Sequence, residues 1–197
     1  MKYTFFLSLW LLGACGGVTK QEKVASASQV KSTAVDIDYL KVGDEITNTS
    51  QAALLKEISW ALSKKGNEGA VGHCNLKAVA LVDSLSDANQ CEIRRVSDKY
   101  RNPNDKAQNT VETKALQIFL EKHSKQEALK PFTLQEGENT YYFKPIMLGM
   151  ETCLSCHGIP QQDIQPATLN TIRRLYPNDL AVGYKLKDFR GMWVVKW

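Results

Sequence analysis

The chain has 197 residues, of which 43% are hydrophobic and 23% are charged, and its formal net charge is +4 at pH 7. These proportions are typical of a soluble globular protein, and they exclude a chain that is disordered throughout. Because the lysines and arginines form no basic block or basic helix face, we do not expect nucleic acid as a partner.

Residues 1–14 have the pattern of an export signal. One lysine precedes an apolar run from Phe5 to Leu12, which is too short to span a bilayer as a mature helix. The segment Leu12-Gly13-Ala14-Cys15 resembles the processing box of bacterial lipoproteins, in which the cysteine becomes the lipidated first residue. The alternative is an ordinary signal peptide cleaved close by, with Cys15 left as a free thiol. Either way the mature domain is expected outside the cytoplasm. The lipoprotein interpretation predicts a periplasm-facing protein that is held on a bacterial membrane by the lipid alone.

Residues 15–45 are predicted to be a flexible tether. They are rich in Ser, Thr, Ala, Lys and Gln and poor in large apolar side chains, so they bury too little surface to become ordered. Residues 46–197 are long enough for one domain with a hydrophobic core.

This domain is predicted to begin with two helices and to continue with a mixture of strands and helices. Apolar residues recur at helical spacing from Thr47 to about Lys65 and from about Glu68 to Leu85, with a stop signal at Gly66. The later predicted elements are a strand over 91–96, a loop at 101–105, a helix over 110–123, a β-prone segment over 140–147, a helix over 166–175 and a strand over 190–197. This order predicts an α+β fold.

The segment Cys153-Leu154-Ser155-Cys156-His157 matches the C-x-x-C-H pattern of c-type haem attachment. The two intervening residues set the sulfur atoms at the separation of the two porphyrin vinyl groups, so that each thiol can add to one vinyl. The next residue, His157, can then offer a neutral imidazole nitrogen to the iron. We therefore expect one haem c, covalently held through Cys153 and Cys156, with His157 as an axial ligand.

Other interpretations of this motif stay open. A thioredoxin-like dithiol requires a strand-to-helix junction in a βαβ unit, and the elements here do not alternate in that way. A structural zinc site requires four ligands, and the sequence has no second Cys-x-x-Cys or His-x-x-x-His pair. A helical bundle like cytochrome c′ is the structural alternative, although it places the haem motif in its last helix, whereas forty residues follow His157 here.

Further short motifs accompany the haem motif. In chain order they are Ala70-Val71-Gly72-His73-Cys74, Arg95-Val96-Ser97, Arg101-Asn102-Pro103-Asn104, Glu112 with Leu116 and Phe119, Tyr142-Phe143-Lys144-Pro145-Ile146, Tyr176 to Tyr184, and Asp188 with Arg190-Gly191. Together they resemble the bacterial family of single-haem, PAS-like c-type domains, which occur alone behind an export signal or as the sensor part of signalling proteins. The resemblance covers roughly residues 50–197. Two departures are Lys187, where the family usually has a glycine, and Trp193, where smaller residues are common.

The resemblance implies a PAS-like antiparallel sheet flanked by helices, with N-terminal helices and one haem held against the sheet. It also implies a sixth iron ligand from the helix before the haem motif, here Cys74. A thiolate ligand stabilises ferric iron and lowers the reduction potential. The alternatives for Cys74 are a disulfide with Cys91, which an oxidising compartment permits, and an inert core position. His73 is an alternative ligand, although a histidine in such a position is more often solvated.

Several other side chains are candidates for the haem surroundings. Aromatic residues that would wall the haem, or would equally form ordinary core, are Tyr142, Phe143, Tyr176 and Tyr184. Arg101 or Arg190 would pair with a propionate, although surface solvation is the favoured interpretation of both. The methionines Met147, Met150 and Met192 are expected to fill the core.

These residues together predict an exported haem protein that senses redox state or a small gas. Reduction weakens an iron–thiolate bond, and release of Cys74 would open a site for NO or CO. No output domain is evident, so the signal is expected to pass to a separate partner protein. The alternative is a periplasmic electron-transfer cytochrome. An enzyme such as a peroxidase is not expected, because the sixth position is filled and the sequence reveals no distal acid–base pair.

Overall fold

The computed structural model describes residues 37–197, and its first element is the long helix α1, Tyr39–Asn89. Gly66 has φ 65° and ψ −173°, a conformation that glycine adopts without a Cβ clash, and it divides α1 into two segments. We call them α1a (residues 39–65) and α1b (residues 67–89). The predicted break between two helices is confirmed.

The start of α1 corrects the predicted limits of the tether. Residues 39–45 are helical, and the Asp38 side chain caps the helix by accepting a hydrogen bond from the Lys41 N–H at 3.1 Å. Gly43 is buried so closely against the ring of Tyr142 that a Cβ would not fit. Composition alone could not reveal that this small residue packs on the sheet. The predicted export signal, Cys15 and the tether up to residue 36 lie outside the described residues.

The remaining elements follow in a mixed order. They are β1 (Glu92–Val96), α2 (Thr110–Ser124), β2 (Phe132–Glu136), β3 (Asn139–Met147), α3 (Leu154–His157), α4 (Pro166–Leu175) and β4 (Phe189–Lys196), with 3-10 turns at Pro103–Asp105 and Glu151–Cys153. Strand β2 was not predicted, because it is a short edge strand in which apolar and polar residues alternate over only a few positions. The other predicted elements are present.

The four strands form one antiparallel sheet in the order β1-β4-β3-β2. In the centre of the sheet Val194 lies between Arg94 on β1 and Phe143 on β3. The predicted α+β class with an antiparallel sheet flanked by helices is confirmed, and a purely helical bundle is excluded. The PAS-like description stays a prediction.

Both faces of the sheet are covered by helices, because side chains of a strand alternate between its faces. Tyr141, Phe143 and Val194 pack against α2, whose buried residues include Ala115 and Phe119. On the opposite face the buried side chains Tyr142, Trp193 and Val195 pack with Ile46, Leu54 and Val82 of α1. A further cluster joins Val71 of α1b to Leu169 and Ile172 of α4. No helix within residues 37–197 is long and apolar enough to cross a bilayer.

The turn before β4 contains Lys187, one of the two positions at which the sequence was expected to depart from the family pattern. Lys187 has φ 69°, a left-handed conformation that costs any residue with a Cβ more than it costs glycine. Its N–H donates to the carbonyl of Leu148 at 2.8 Å, so the turn forms despite the substitution.

The ion pair between Arg94 and Glu112 should contribute strongly to stability. Glu112 is 2% exposed, and its carboxylate accepts from Arg94 Nη1 at 2.8 Å and from the N–H of Gln108 at 2.7 Å. Glu112→Gln should lower the free energy of unfolding by about 3 kcal/mol, because a buried guanidinium loses its counter-charge. Urea denaturation measures this loss. The matched control is Glu92→Gln, whose exposed carboxylate lies 3.8 Å from Lys196 and should change the stability by less than about 1 kcal/mol.

Candidate functional site

A cavity of about 460 Å³ lies between α1, the sheet and the segment that carries the C-x-x-C-H motif. Its wall combines apolar side chains with three cysteines, two histidines and three arginines. The residues that matter for its chemistry are Cys74, Cys153, Cys156, His157, Arg95, Arg101 and Arg190. The structure therefore brings the predicted haem-attachment residues and the predicted sixth ligand to one cavity.

The two motif thiols lie on a single helical turn. The 3-10 turn Glu151–Cys153 runs directly into α3, Leu154–His157, so Cys153 and Cys156 are three residues apart on one face. Both are free and half-buried. Burial raises the pKa of the Cys156 thiol, which therefore stays protonated at neutral pH. Two thiols on one face of a short helix are suitably placed to hold one planar ligand on the cavity side.

The imidazole of His157 is held in one tautomer. Its Nδ1 lies 2.8 Å from the carbonyl oxygen of Ala181, which only accepts, so Nδ1 carries the hydrogen and Nε2 keeps a lone pair. Burial lowers the pKa of His157 well below its usual range, and the positive charges of Arg101 and Arg190 act in the same direction. The ring of Tyr184 stands edge-on to the imidazole, with ring centroids 6.3 Å apart. His157 is therefore a neutral imidazole, the form that binds a metal.

The backbone around His157 is fixed by the segment that precedes β4. The N–H of Gly183 donates to the carbonyl of Gly158 at 2.7 Å, and that of Tyr184 donates to the carbonyl of His157 at 3.0 Å. At Gly158 a Cβ would lie 2.5 Å from Cβ of Asp163, so only glycine fits there. These contacts explain why the short motifs around residues 158 and 176–184 occur together.

Arg101 and Arg190 contradict the expectation that they are solvated at the surface. Arg101 has a side chain that is only 12% exposed and is paired with Asp179 at 3.1 Å. Arg190 donates from Nη1 to the Ser97 hydroxyl at 2.9 Å and to a backbone carbonyl at 3.1 Å. Burial lowers the pKa of Arg190, although its guanidinium stays charged at neutral pH. The sequence pattern could not reveal this, because burial of these side chains depends on contacts between distant segments.

Sequence reasoning placed Arg95 in a motif but gave it no role. Its closest carboxylate is that of Asp105, and Nη2 lies 3.9 Å from Oδ2, beyond hydrogen-bonding distance. Burial raises the pKa of Asp105, and the nearby arginines oppose this effect. Arg95 and Arg190 therefore present positive charge to the cavity.

Cys74 lines the cavity from α1b. Burial raises the pKa of its thiol, and the neighbouring Cys156 acts in the same direction. The described cysteines are all free, so the alternative disulfide with Cys91 is not formed. Cys91 instead packs beside the cluster that contains Ile93.

His73 is not the solvated residue that the sequence favoured. Its Nε2 lies 2.9 Å from Oε2 of Glu57, its side chain is 11% exposed, and its ring centroid lies 5.1 Å from that of Trp60. This contact engages Nε2, so only Nδ1 of His73 is left to hold a metal. The sequence did not reveal this Glu57–His73 pair, which joins α1a to α1b on the cavity wall.

The other residues predicted to lie near the haem occupy different parts of the structure. Tyr176 lines the cavity, whereas Tyr142 and Phe143 belong to the core on either side of the sheet. Met192 is fully buried, as predicted. Met147 and Met150 are 39% and 47% exposed and lie at the cavity, so the prediction that they fill the core is wrong. The β-bulge between Ile146 and Met147 turns the chain out of the sheet at this point.

The zinc interpretation of the motif requires a group of three or more ligand side chains. Within residues 37–197 no three His, Cys, Asp or Glu side chains are grouped in this way. The described part of the chain therefore gives no support to a structural zinc site.

Residues 19–197 match the Tll0287-like family, described as Tll0287. The chain belongs to the Tll0287-like family. Among solved structures it is similar to the crystal structure of the cyanobacterial heme-protein Tll0287, with 25% sequence identity and a TM-score of 0.56. The match covers 80% of this chain and 94% of that chain. No curated protein matches significantly. The predicted membership of a bacterial haem-protein family is thus confirmed, and the residues of the cavity belong to the matched range of the Tll0287-like family.

Proposed function

We propose that this protein binds one haem c, covalently through Cys153 and Cys156, with His157 as an axial iron ligand. The observation that carries the proposal is the arrangement of one helical turn: two free thiols face the cavity, and His157 follows with Nδ1 committed to Ala181 and Nε2 available. A neutral imidazole whose second nitrogen donates to a carbonyl is the usual state of a metal-ligating histidine. The similarity to a heme-protein supports the same ligand.

The cavity fits an amphipathic planar cofactor in size and chemistry. Its volume of about 460 Å³ falls within the range of cofactor pockets, and its apolar wall includes Leu54, Ile58 and Trp193. Arg95 and Arg190 supply positive charge for two propionate carboxylates. When bound, the haem supplies a one-electron ferric–ferrous couple.

We assign the sixth iron ligand to Cys74. Its half-buried thiol lines the same cavity, whereas the neighbouring His73 has one ring nitrogen, Nε2, held by Glu57. Because burial raises the pKa of Cys74, its sulfur binds as a thiolate only if the metal displaces the proton. The thiol is therefore the favoured form whenever the bond to the metal weakens.

This property supports a sensor of redox state or of a small gas such as NO or CO. If Cys74 held a bound haem iron, its loss as a thiol would leave room for such a gas; the residue lies on α1b, which packs on both α4 and the sheet. A change at Cys74 thus acts directly on a helix that links two parts of the core. An unidentified signalling or redox protein would respond to the altered position of α1b.

The second candidate function is that of an electron carrier. It is favoured by Met147 and Met150, which are exposed at the cavity and offer an apolar rim against which a redox partner could pack. A peroxidase-like enzyme remains outside this proposal, because a cysteine ligand fills the position that a substrate would need. Export, location facing the periplasm and a lipid anchor at Cys15 are part of the proposal and rest on the sequence pattern alone.

Covalent attachment is tested by replacing both motif thiols. After co-expression with a cytochrome c maturation system, the wild type should retain haem on denaturation and show the added mass of one haem. Cys153→Ala with Cys156→Ala should lose both signals, because no thioether can form. Cys91→Ala is the matched control and should retain haem. A wild-type protein with the mass of its processed polypeptide and any lipid would refute the proposal.

The sixth ligand is tested by Cys74→Ser in the haem-loaded protein. The ferric wild type should show the low-spin thiolate signature in its absorption and electron paramagnetic resonance spectra, and Cys74→Ser should lose it. The reduction potential should rise in the variant, because a strong anionic donor is removed. Cys91→Ser should behave like the wild type. An unchanged Cys74→Ser spectrum would falsify the assignment.

The sensor and carrier functions differ in how the iron site behaves once it is reduced. For a sensor, the reduced wild type should bind CO, and its oxidative and reductive titrations should not superimpose, because Cys74 leaves and must rebind. For a carrier, the couple should be fast and reversible, with CO excluded. Spectroelectrochemistry with and without CO decides between the two.

A further inference from the structure

The guanidinium of Arg101 joins three segments around the haem motif. Its Nε and Nη2 donate to the two carboxylate oxygens of Asp179 at 3.1 and 3.3 Å. Nη2 also donates to the backbone carbonyls of Cys156 at 2.7 Å and Ala181 at 3.2 Å. Arg101 and Asp179 are only 12% and 7% exposed, so these charge-assisted bonds are shielded from water.

The carbonyl oxygen of Ala181 is an acceptor that Arg101 shares with His157. His157 Nδ1 donates to this oxygen at 2.8 Å, while the N–H of Ala181 donates to Asp179 at 2.9 Å. A carbonyl oxygen has two lone pairs and accommodates both donors. A positively charged second donor withdraws electron density from the oxygen, so the oxygen accepts less strongly from the imidazole N–H.

We propose that Arg101 is a positioning residue that limits how strongly His157 donates electrons to the haem iron. The inference rests on the proposed function, because it requires His157 to be an axial ligand. A weaker N–H···O bond gives the imidazole less imidazolate character, and a poorer donor favours the ferrous state and raises the reduction potential. The buried positive charge of Arg101 acts in the same direction.

The arrangement also assigns a role to Asp179. Its carboxylate accepts hydrogen bonds from both Arg101 and the N–H of Ala181. It therefore fixes the position of the guanidinium relative to the shared carbonyl. The ion pair therefore sets the geometry of the His157 hydrogen bond even though neither residue is an iron ligand.

Arg101→Gln in the haem-loaded protein tests the inference with two measurements. The midpoint potential should shift to a lower value than that of the wild type. In the reduced, low-spin protein, with CO added if the wild type binds it and with ¹⁵N-labelled histidine, the proton resonance of His157 Nδ1–H should shift downfield, because its hydrogen bond to Ala181 strengthens. Arg101→Lys keeps the positive charge but lacks the planar guanidinium that donates to several acceptors. It should shift the resonance in the same direction by a smaller amount. It serves as the test variant if Arg101→Gln does not fold.

One control variant separates the shared carbonyl from a general effect of charge. Arg174→Gln removes a positive charge from an exposed position on α4 and should leave the potential and the resonance unchanged. The inference is overturned if Arg101→Gln carries haem at the wild-type level with an unshifted resonance, or if Arg174→Gln shifts the resonance equally. A wild type without covalent haem would instead refute the proposed function.

Discussion

Burial of the central strands on both faces is the constraint on which the other elements depend. Strands β3 and β4 place Tyr142 and Trp193 toward α1 and Phe143 and Val194 toward α2, and all four side chains are almost completely buried. Each such side chain contributes about 1.5–3 kcal/mol of hydrophobic stabilisation. The helices must therefore cover both faces, and the cavity lies between α1, the sheet and the segment that follows β3.

The cavity combines a low-dielectric wall with a small cluster of charges. Arg95, Arg101 and Arg190 outnumber the two nearby carboxylates of Asp105 and Asp179, so the cluster is positive overall. Burial lowers the pKa of His157, and this positive charge acts in the same direction. The same arginines are suited to supply counter-charge for a dicarboxylate ligand. Arg101 has a separate task, because its hydrogen bonds connect the haem motif with the segment before β4.

The two segments of α1 hold the second side of the cavity. The left-handed conformation of Gly66 lets α1b change direction, and the Glu57–His73 contact joins the segments again across that change. Cys74 follows His73 directly, so its place on the wall is defined by a polar contact as well as by apolar packing. The helical spacing predicted two helices and the break between them. It could not predict that His73 would be engaged, because its partner lies sixteen residues away on the other segment.

The sequence by itself determined the features that depend on local spacing. The C-x-x-C-H motif, the break at Gly66, the helices and most of the strands follow from patterns of neighbouring residues, and so does the α+β class. The early start of α1 and the edge strand β2 were decided by tertiary contacts that composition does not record. The same holds for the burial of Arg101 and Arg190 and for the exposure of Met147 at a bulge. These features depend on contacts between residues far apart in the chain, such as Arg101 with Asp179. The spacing of residues along the sequence does not show which distant residues will be in contact.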